Sequence, residues 1–391
     1  MSKSLTDYEI LCLSHLRWET TLFQRPQQLM SQFDAMGVGV FYLSQWSTRR
    51  WVAALLRGHR DELTGRAGSR LLWRNWPYTP AMRFSPLAAS LNLRLFGMAA
   101  RRFLAVHQTR PLLVWLYHPW AYPLLERIPF ELLVYDCMDP FVAFRLQRRK
   151  QQIDEQEHAL IRRASLVFTG GPSLQAAKEG INPHTYCFPS GLDFEHFAKA
   201  LDEQTAQPAD AARLPHPVFG YWGAVDERID FALLERLCDR WPEGSVVLLG
   251  PLIAMEKPPL EKPNFHYLGA KEYAQLPGYL AAFDVCLLPF VTSALTASIS
   301  PTKTPEYLAG GRPVVSTAIP DVADVWGDVV GIGEDGGAFI AAVESALQRP
   351  RPDPRLAEAA RQRAATWDDT ATAMRERIEA VIAERCARSE R

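Results

Sequence analysis

Runs of four to seven apolar residues alternate along the chain with stretches in which apolar positions recur every three or four residues. The continuous runs read as strands buried on both faces, and the periodic stretches read as amphipathic helices. In the first half the strand-like runs are 10–14, 38–43, 111–117, 131–135, 165–169 and 185–188. Between the first two, Pro26 opens a helix whose apolar face is Leu29, Met30, Phe33 and Met36, and Gly37 ends it. Residues 152–163 and the stretch opening at Pro172 read as further helices. The second half restarts the pattern with strands at 218–222, 245–249, 264–268, 285–289 and 313–316. Its helices fall at 231–240, 273–283, from about Thr304, and at 338–347. After Trp367 a last helix places Met374, Ile378, Val381 or Ile382, and Cys386 on one face. This order predicts an α/β protein with two Rossmann-like domains facing a deep interdomain cleft. The expected boundaries are 1–198 for the first domain, 199–215 for a linker rich in Ala, Asp, Gln and Pro, and 216–365 for the second. Residues 366–391 are expected to form a helix that crosses back to the N-terminal domain and packs across the domains.

Composition narrows the class. The 391 residues are 48% apolar and 22% charged, with a formal net charge of -1. That describes a globular protein and excludes a globally basic nucleic-acid binder. The charge is uneven, however. Between Phe41 and Pro111 stand twelve Arg and only two acids, Asp61 and Glu62, interleaved with Trp46, Trp51, Trp73 and Trp76. Such a basic aromatic section is a candidate for contact with a membrane surface over residues 46–110, and a solvated Arg face is the alternative. The six Cys are scattered with no C-x-x-C, which points to free thiols in a reducing compartment. The first residues hold too short an apolar stretch for a signal peptide, and no run approaches 18 apolar residues. The expectation is a cytosolic protein, with attachment to a membrane face left open.

Candidate chemistry collects at strand ends, where open α/β sheets bind ligands. After the first strand come His15, Trp18, Gln24 and Arg25, which are candidates to line a cleft. After 111–117 comes His118, and after 131–135 come Asp136 and Asp139. A carboxylate or imidazole there is suited to general-base work, while a helix cap is the competing role. The stretch from Phe290 to Thr317, FVTSALTASISPTKTPEYLAGGRPVVST, leads from a buried run through Ser, Thr and Pro to Lys303 and Glu306. A hydroxyl-rich loop feeding a helix start that carries a cation is suited to a phosphate group.

RPQQL after the first strand, VYDCMDPF, FPSGLDFEHF, FGYWGAVDERID, FHYLGAKEYAQLPGYLAAFDVCLLPF and SPTKTPEYLAGGRPVVST together resemble the GT-B fold nucleotide-sugar glycosyltransferases of the group 1, family 4-like set. The resemblance implies a glycosyltransferase of hexosyltransferase type, which moves a sugar from a UDP-sugar or GDP-sugar to a glycan or lipid-linked acceptor in cell-surface polysaccharide synthesis. It implies no cofactor, no metal and no nucleic acid, and no Asp-x-Asp pair is present. It gives Glu306 the donor ribose, Lys303 with Thr302 the diphosphate, Gly223 and Arg228 the approach to that diphosphate, and Tyr267 and Leu268 the border of the base. His15, Trp18, Gln24 and Arg25 become the acceptor side. Where the family places another Glu eight residues before Glu306, this chain has Ser298. The spacing S-P-T-K-T-P-E is closer to the xanthan glucuronosyltransferase branch. Its Tyr-x-x-x-Asp element, aligned on Tyr135, puts Asp139 ahead of Asp136 and His118 as the base. Retention and inversion both stay open, as do two other functions: a nucleotide-sugar 2-epimerase of the same fold, and a non-catalytic glycan- or nucleotide-binding protein.

Overall fold

The computed structural model describes residues 3–19, 23–78, 85–141 and 150–389. The chain divides into two compact units, Met1–Phe188 with Trp367–Arg391, and Pro189–Thr366.

The first unit runs β1 (Glu9–Ser14), α1 (Arg25–Ala35), β2 (Gly39–Ser47), α2 (Thr48–Leu56), β3 (Thr64–Ala67), β4 (Leu71–Tyr78) and α3 (Pro86–His107). It continues with β5 (Leu112–Leu116), β6 (Leu132–Cys137), α4 (Lys150–Arg163), β7 (Leu166–Thr169), α5 (Pro172–Lys178) and β8 (Thr185–Cys187). The strands form one sheet in the order β3-β4-β2-β1-β5-β6-β7-β8. Only β3 is antiparallel to its neighbour. Every residue of β1, β5, β6 and β7 is buried, because helices cover both faces of a parallel sheet. One core packs Phe33, Tyr42, Trp115 and Phe168 on one face, and the other packs Phe41, Phe103, Leu116 and Leu133. The β3–β4 pair escapes the apolar pattern because β3 is a sheet edge whose residues are exposed or half-buried.

The second unit runs α6 (Phe194–Phe197), β9 (Val218–Trp222), α7 (Phe231–Arg240), β10 (Ser245–Leu249), β11 (Phe265–Gly269), α8 (Leu276–Ala282) and β12 (Val285–Leu288). It closes with α9 (Lys303–Ala309), β13 (Val314–Thr317), α10 (Pro320–Trp326), β14 (Gly331–Gly333), α11 (Gly336–Ala346) and α12 (Pro354–Arg363). Its six strands are all parallel, in the order β11-β10-β9-β12-β13-β14. The stretch expected to be a linker belongs to this unit. Ala200 and Ala211 are buried in its core, and Asp210 accepts from the Tyr279 hydroxyl at 2.8 Å and pairs with Lys271 at 2.7 Å. Its Pro and Asp residues punctuate turns there rather than loosening the chain.

The final helix, α13 (Trp367–Ser389), is part of the first unit. Ala371, Met374, Ile378 and Ile382 complete that unit's core beside α1, and Glu379 accepts from the Leu5 amide at 3.1 Å. The last helix thus returns to the first unit, as expected of a helix crossing back to the N-terminal domain. No described helix is long and apolar enough to cross a membrane.

Ile378 is fully buried, so Ile378→Ala deletes packed methylenes and leaves a cavity. It should cost about 2–5 kcal/mol in urea unfolding followed by tryptophan fluorescence, while Glu384→Ala on the exposed side of α13 should change stability by less than about 0.5 kcal/mol.

Candidate functional site

Each sheet has a point at which its winding reverses, between β1 and β5 in the first unit and between β9 and β12 in the second. The loops that leave the carboxyl ends of those strands diverge and open a crevice. The chemistry-bearing residues of each unit gather at its reversal.

In the second unit, β9 ends at Trp222 and the chain turns at Gly223, whose φ of +140° is a conformation that L side chains rarely adopt. A Cβ at Gly223 would come within 2.2 Å of Lys303 Cε and 2.7 Å of its Nζ. Gly250, at φ +132°, lies as close to Gly223 from the β10 side, since a Cβ there would stand 1.8 Å from the Gly223 carbonyl oxygen. Two bare backbones thus meet where the Lys303 ammonium arrives. That ammonium also sits 5.6 Å from the centre of the Tyr221 ring. Trp222 pins α9 to the end of β9 by two hydrogen bonds. Its backbone amide donates to the Tyr307 hydroxyl at 3.0 Å, and its indole Nε1 donates to Glu306 Oε2 at 3.0 Å. Burial pushes the Glu306 carboxyl up to about 7, against the opposing effects of Lys303 and the Trp222 hydrogen bond. Glu306 is therefore poised to gain from any hydroxyl donors that approach it. Thr302 precedes α9, and the buried Thr304 hydroxyl beside it has no hydrogen-bond partner among the described residues.

The remaining donor candidates fall into a graded order. Tyr267, on the edge strand β11, donates its hydroxyl to the Gly250 carbonyl at 2.8 Å and so braces the turn that touches Gly223. Leu268 beside it is half-buried on the same strand. Arg228 is held by Asp226, with Nε and Nη2 on both carboxylate oxygens at 2.7–3.1 Å, so a phosphate would have to compete for it. Ser298 lies in the turn that precedes Lys303 and is half-buried. Trp222 had received no role from the sequence. Its signal was its place as the last residue of β9, directly before the glycine. The FPSGLDFEHF stretch supports it from behind, with the Phe197 ring stacked 5.8 Å from the Trp222 ring.

In the first unit, β1, β5 and β6 are neighbours, so His15, His118 and Asp139 come together beyond their ends. The His15 and His118 rings stand 6.0 Å apart, and His118 lies 4.3 Å from Phe141. His118 Nδ1 accepts from the Trp120 amide at 3.1 Å. Burial and then the neighbouring His15 push its pKa down to about 3. Its Nδ1 lone pair is occupied and its imidazole is neutral, so it is a hydrogen-bond donor through Nε2 and a poor base near neutral pH. Desolvation lowers His15 as well, and the Asp139 carboxylate partly offsets it.

Asp136 and Arg25 require correction. β6 extends through Cys137, so Asp136 is inside the strand rather than beyond it. Arg25 donates Nε and Nη2 to both Asp136 oxygens at 2.9–3.2 Å, and Nη1 to the Phe188 carbonyl at 2.6 Å, with both side chains all but sealed from solvent. An Asp wholly engaged this way holds α1, β6 and the chain after β8 together. It is not available as a base, nor Arg25 as an acceptor ligand. Tyr135 is likewise internal, donating to Glu157 at 2.6 Å, and Lys178 pairs with the same carboxylate at 2.9 Å. Asp139 is half-buried past the strand end, with its carbonyl accepting from the Phe141 amide at 2.9 Å. Of the acceptor candidates, Trp18 packs edge-on against Tyr42 at 5.1 Å, and Gln24 is exposed where α1 begins.

Comparison with known proteins adds the fold. No family model matches the chain. A Bacillus subtilis (strain 168) protein named "Putative teichuronic acid biosynthesis glycosyltransferase TuaH" is 24% identical over 260 residues, which is 60% of this chain and 63% of that protein. The match thus spans less than two thirds of the relative's length. Among solved structures, sucrose-phosphate synthase from Thermosynechococcus elongatus aligns with a TM-score of 0.73 at 16% identity, over 96% of this chain and 100% of its own. An α,α-trehalose 6-phosphate synthase from Burkholderia multivorans aligns at 0.66 and 14%, over 98% and 99%. A trehalose-6-phosphate structure from E. coli bound with UDP-2-fluoro glucose aligns at 0.68 and 12%, over 95% and 99%. At these identities the likeness shows a shared GT-B fold.

Breaking the Arg25–Asp136 pair strands a buried guanidinium. Asp136→Asn should lower stability in urea unfolding by about 3–5 kcal/mol, whereas exposed Gln24→Ala should leave it within about 0.5 kcal/mol.

Proposed function

We propose that this GT-B chain is a glycosyltransferase that takes its sugar from a UDP-sugar or GDP-sugar and passes it to a hydroxyl of a glycan or lipid-linked acceptor. The observation that carries the reading is the Lys303 side chain lying against the Gly223 turn at the β9/β12 reversal, with Glu306 one helical turn on. A diphosphate laid on that turn would meet a cation and backbone with no side chain in the way. A ribose one step further would meet a carboxylate that Trp222 orients. The name of the B. subtilis relative favours cell-surface polysaccharide as the setting. A lipid-linked acceptor would bring the enzyme to the inner face of a membrane.

The chemistry follows from those assignments. Asp139 takes the proton of the acceptor hydroxyl as its oxygen attacks the anomeric carbon of the donor sugar. The bond from that carbon to the diphosphate oxygen breaks, and the electron pair leaves with the nucleoside diphosphate. Lys303 offsets the charge that develops on the leaving oxygen. His118, neutral and donating through Nε2, orients the acceptor, and His15, Trp18 and Gln24 border it. Asp139 is assigned as base because it stands past the end of β6, where its carboxylate acts on His15, while Asp136 lies inside the strand and His118 is protonated at Nε2. A displacement of this kind inverts the anomeric centre, and the likeness of Tyr135 to Asp139 to the Tyr-x-x-x-Asp element of the xanthan branch agrees with it.

Two outcomes test the reading. Lys303→Ala should lower kcat by roughly 100- to 1000-fold, the usual effect of removing one stabiliser of a developing negative charge. Asp139→Asn should lower it by a comparable factor while leaving nucleotide-sugar binding intact. Unchanged turnover in either variant contradicts the role given to that residue.

Glu306 supplies a pH test. Ribose hydroxyls that donate to the carboxylate favour its ionised form, so the bound complex has a lower pKa than the free protein's value of about 7. Binding then releases a proton below that value, and affinity rises with pH until about 7 and levels off above it. Titration calorimetry should be run with a nucleotide-sugar, whose diester phosphates do not titrate in this range. It should show that rise in the native protein and a weaker, flat profile in Glu306→Gln.

A further inference from the structure

α3 is a 22-residue helix without a single Asp or Glu. Its inner arc packs Phe96, Ala100, Phe103 and Leu104 into the core, as an amphipathic helix should. Its outer arc should then be polar, and it is not. Leu87, Leu91, Leu95, Met98 and Val106 are between 51% and 83% exposed, and at 100° per residue they fall on one continuous stripe. The charged residues among them are Arg94, Arg101 and Arg102, all exposed.

An ordinary solvated face would carry mixed charge and few large apolar residues. A second copy of the chain meeting this face across a two-fold axis would set arginines against arginines, with no carboxylate on the helix to answer them. A surface that is apolar beneath and anionic at its boundary matches both halves of the stripe. Leucine and methionine side chains enter the boundary between headgroups and acyl chains, and arginines extend to the phosphate level.

We propose that the outer face of α3 is a docking surface for an anionic lipid bilayer. The proposal deepens the reading of a lipid-linked acceptor by naming the surface that would hold the enzyme near it, but its physical case stands on α3 alone. The test is co-sedimentation of the full chain with phosphatidylcholine vesicles, with and without phosphatidylglycerol. Binding is expected only with phosphatidylglycerol present, and it should weaken as salt is raised. Arg94→Gln/Arg101→Gln/Arg102→Gln should lower the partition coefficient roughly 100-fold, and Leu91→Gln/Leu95→Gln/Met98→Gln should lower it by at least tenfold. A far-UV circular dichroism spectrum and a melting temperature unchanged from the native chain in both variants verify that they are folded. The proposal is overturned if the native chain ignores anionic vesicles, or if the folded variants bind as the native chain does. It is equally overturned if the apolar variant changes only the solution mass by light scattering, which would make the face a self-contact. A chain that docks on vesicles but turns over no nucleotide-sugar defeats the transferase reading and leaves this one standing.

Discussion

A parallel sheet that reverses its winding has to leave a gap beyond the carboxyl ends of two neighbouring strands, and both units of this protein are organised by that constraint. In the second unit the gap lies beside a close approach of two backbone turns. Gly223 and Gly250 meet without side chains, and Lys303 lies against Gly223. The surrounding contacts serve that approach. Trp222 ties α9 to β9, Tyr307 receives the Trp222 amide, and Tyr267 holds the Gly250 carbonyl. A side chain at Gly223 would push the cation away from the turn, and one at Gly250 would run into the Gly223 backbone.

The first unit solves a different problem at its own reversal. Charged and polar residues stand at three adjacent strand ends, and most of them are already committed. Arg25 and Asp136 neutralise each other inside the sheet, and Glu157 receives both Tyr135 and Lys178. These buried pairs fix α1, α4, α5 and β6, and Asp139, His15 and His118 stand beyond the strand ends. Burial and the Trp120 amide hold His118 neutral with Nδ1 occupied, which leaves it a donor through Nε2.

Much of this was legible in the sequence. The buried runs gave most of the parallel strands to within two residues, because strands covered on both faces are continuously apolar. The edge strand β3, the short β14 and the helices α10 and α12 carry too little apolar periodicity to be seen that way. The end of β6 was misjudged because Asp136 is polar, and a polar residue after an apolar run reads as a strand end. Only its pairing with Arg25, 111 residues earlier in the chain, keeps it in the strand, and no local pattern carries that information. The stretch at 199–215 was misjudged for the converse reason, since turn-rich composition does not distinguish a linker from a strap packed on a core. The loop before α9 was readable as a candidate donor site through its likeness to a family. The significance of Trp222 was not, because it depends on which residues of α9 come to face the end of β9.

The account rests most heavily on Lys303 and the Gly223 turn as the seat of a nucleoside diphosphate. The most direct test is the melting temperature of the native protein and of Lys303→Ala, measured with UDP and with GDP. The account predicts that one of the two nucleotides stabilises the native chain by about 2.7 kcal/mol at a hundredfold excess over its Kd. The same concentration should give little or no stabilisation of Lys303→Ala. No stabilisation of the native chain by either nucleotide, or equal stabilisation of both proteins, would contradict it.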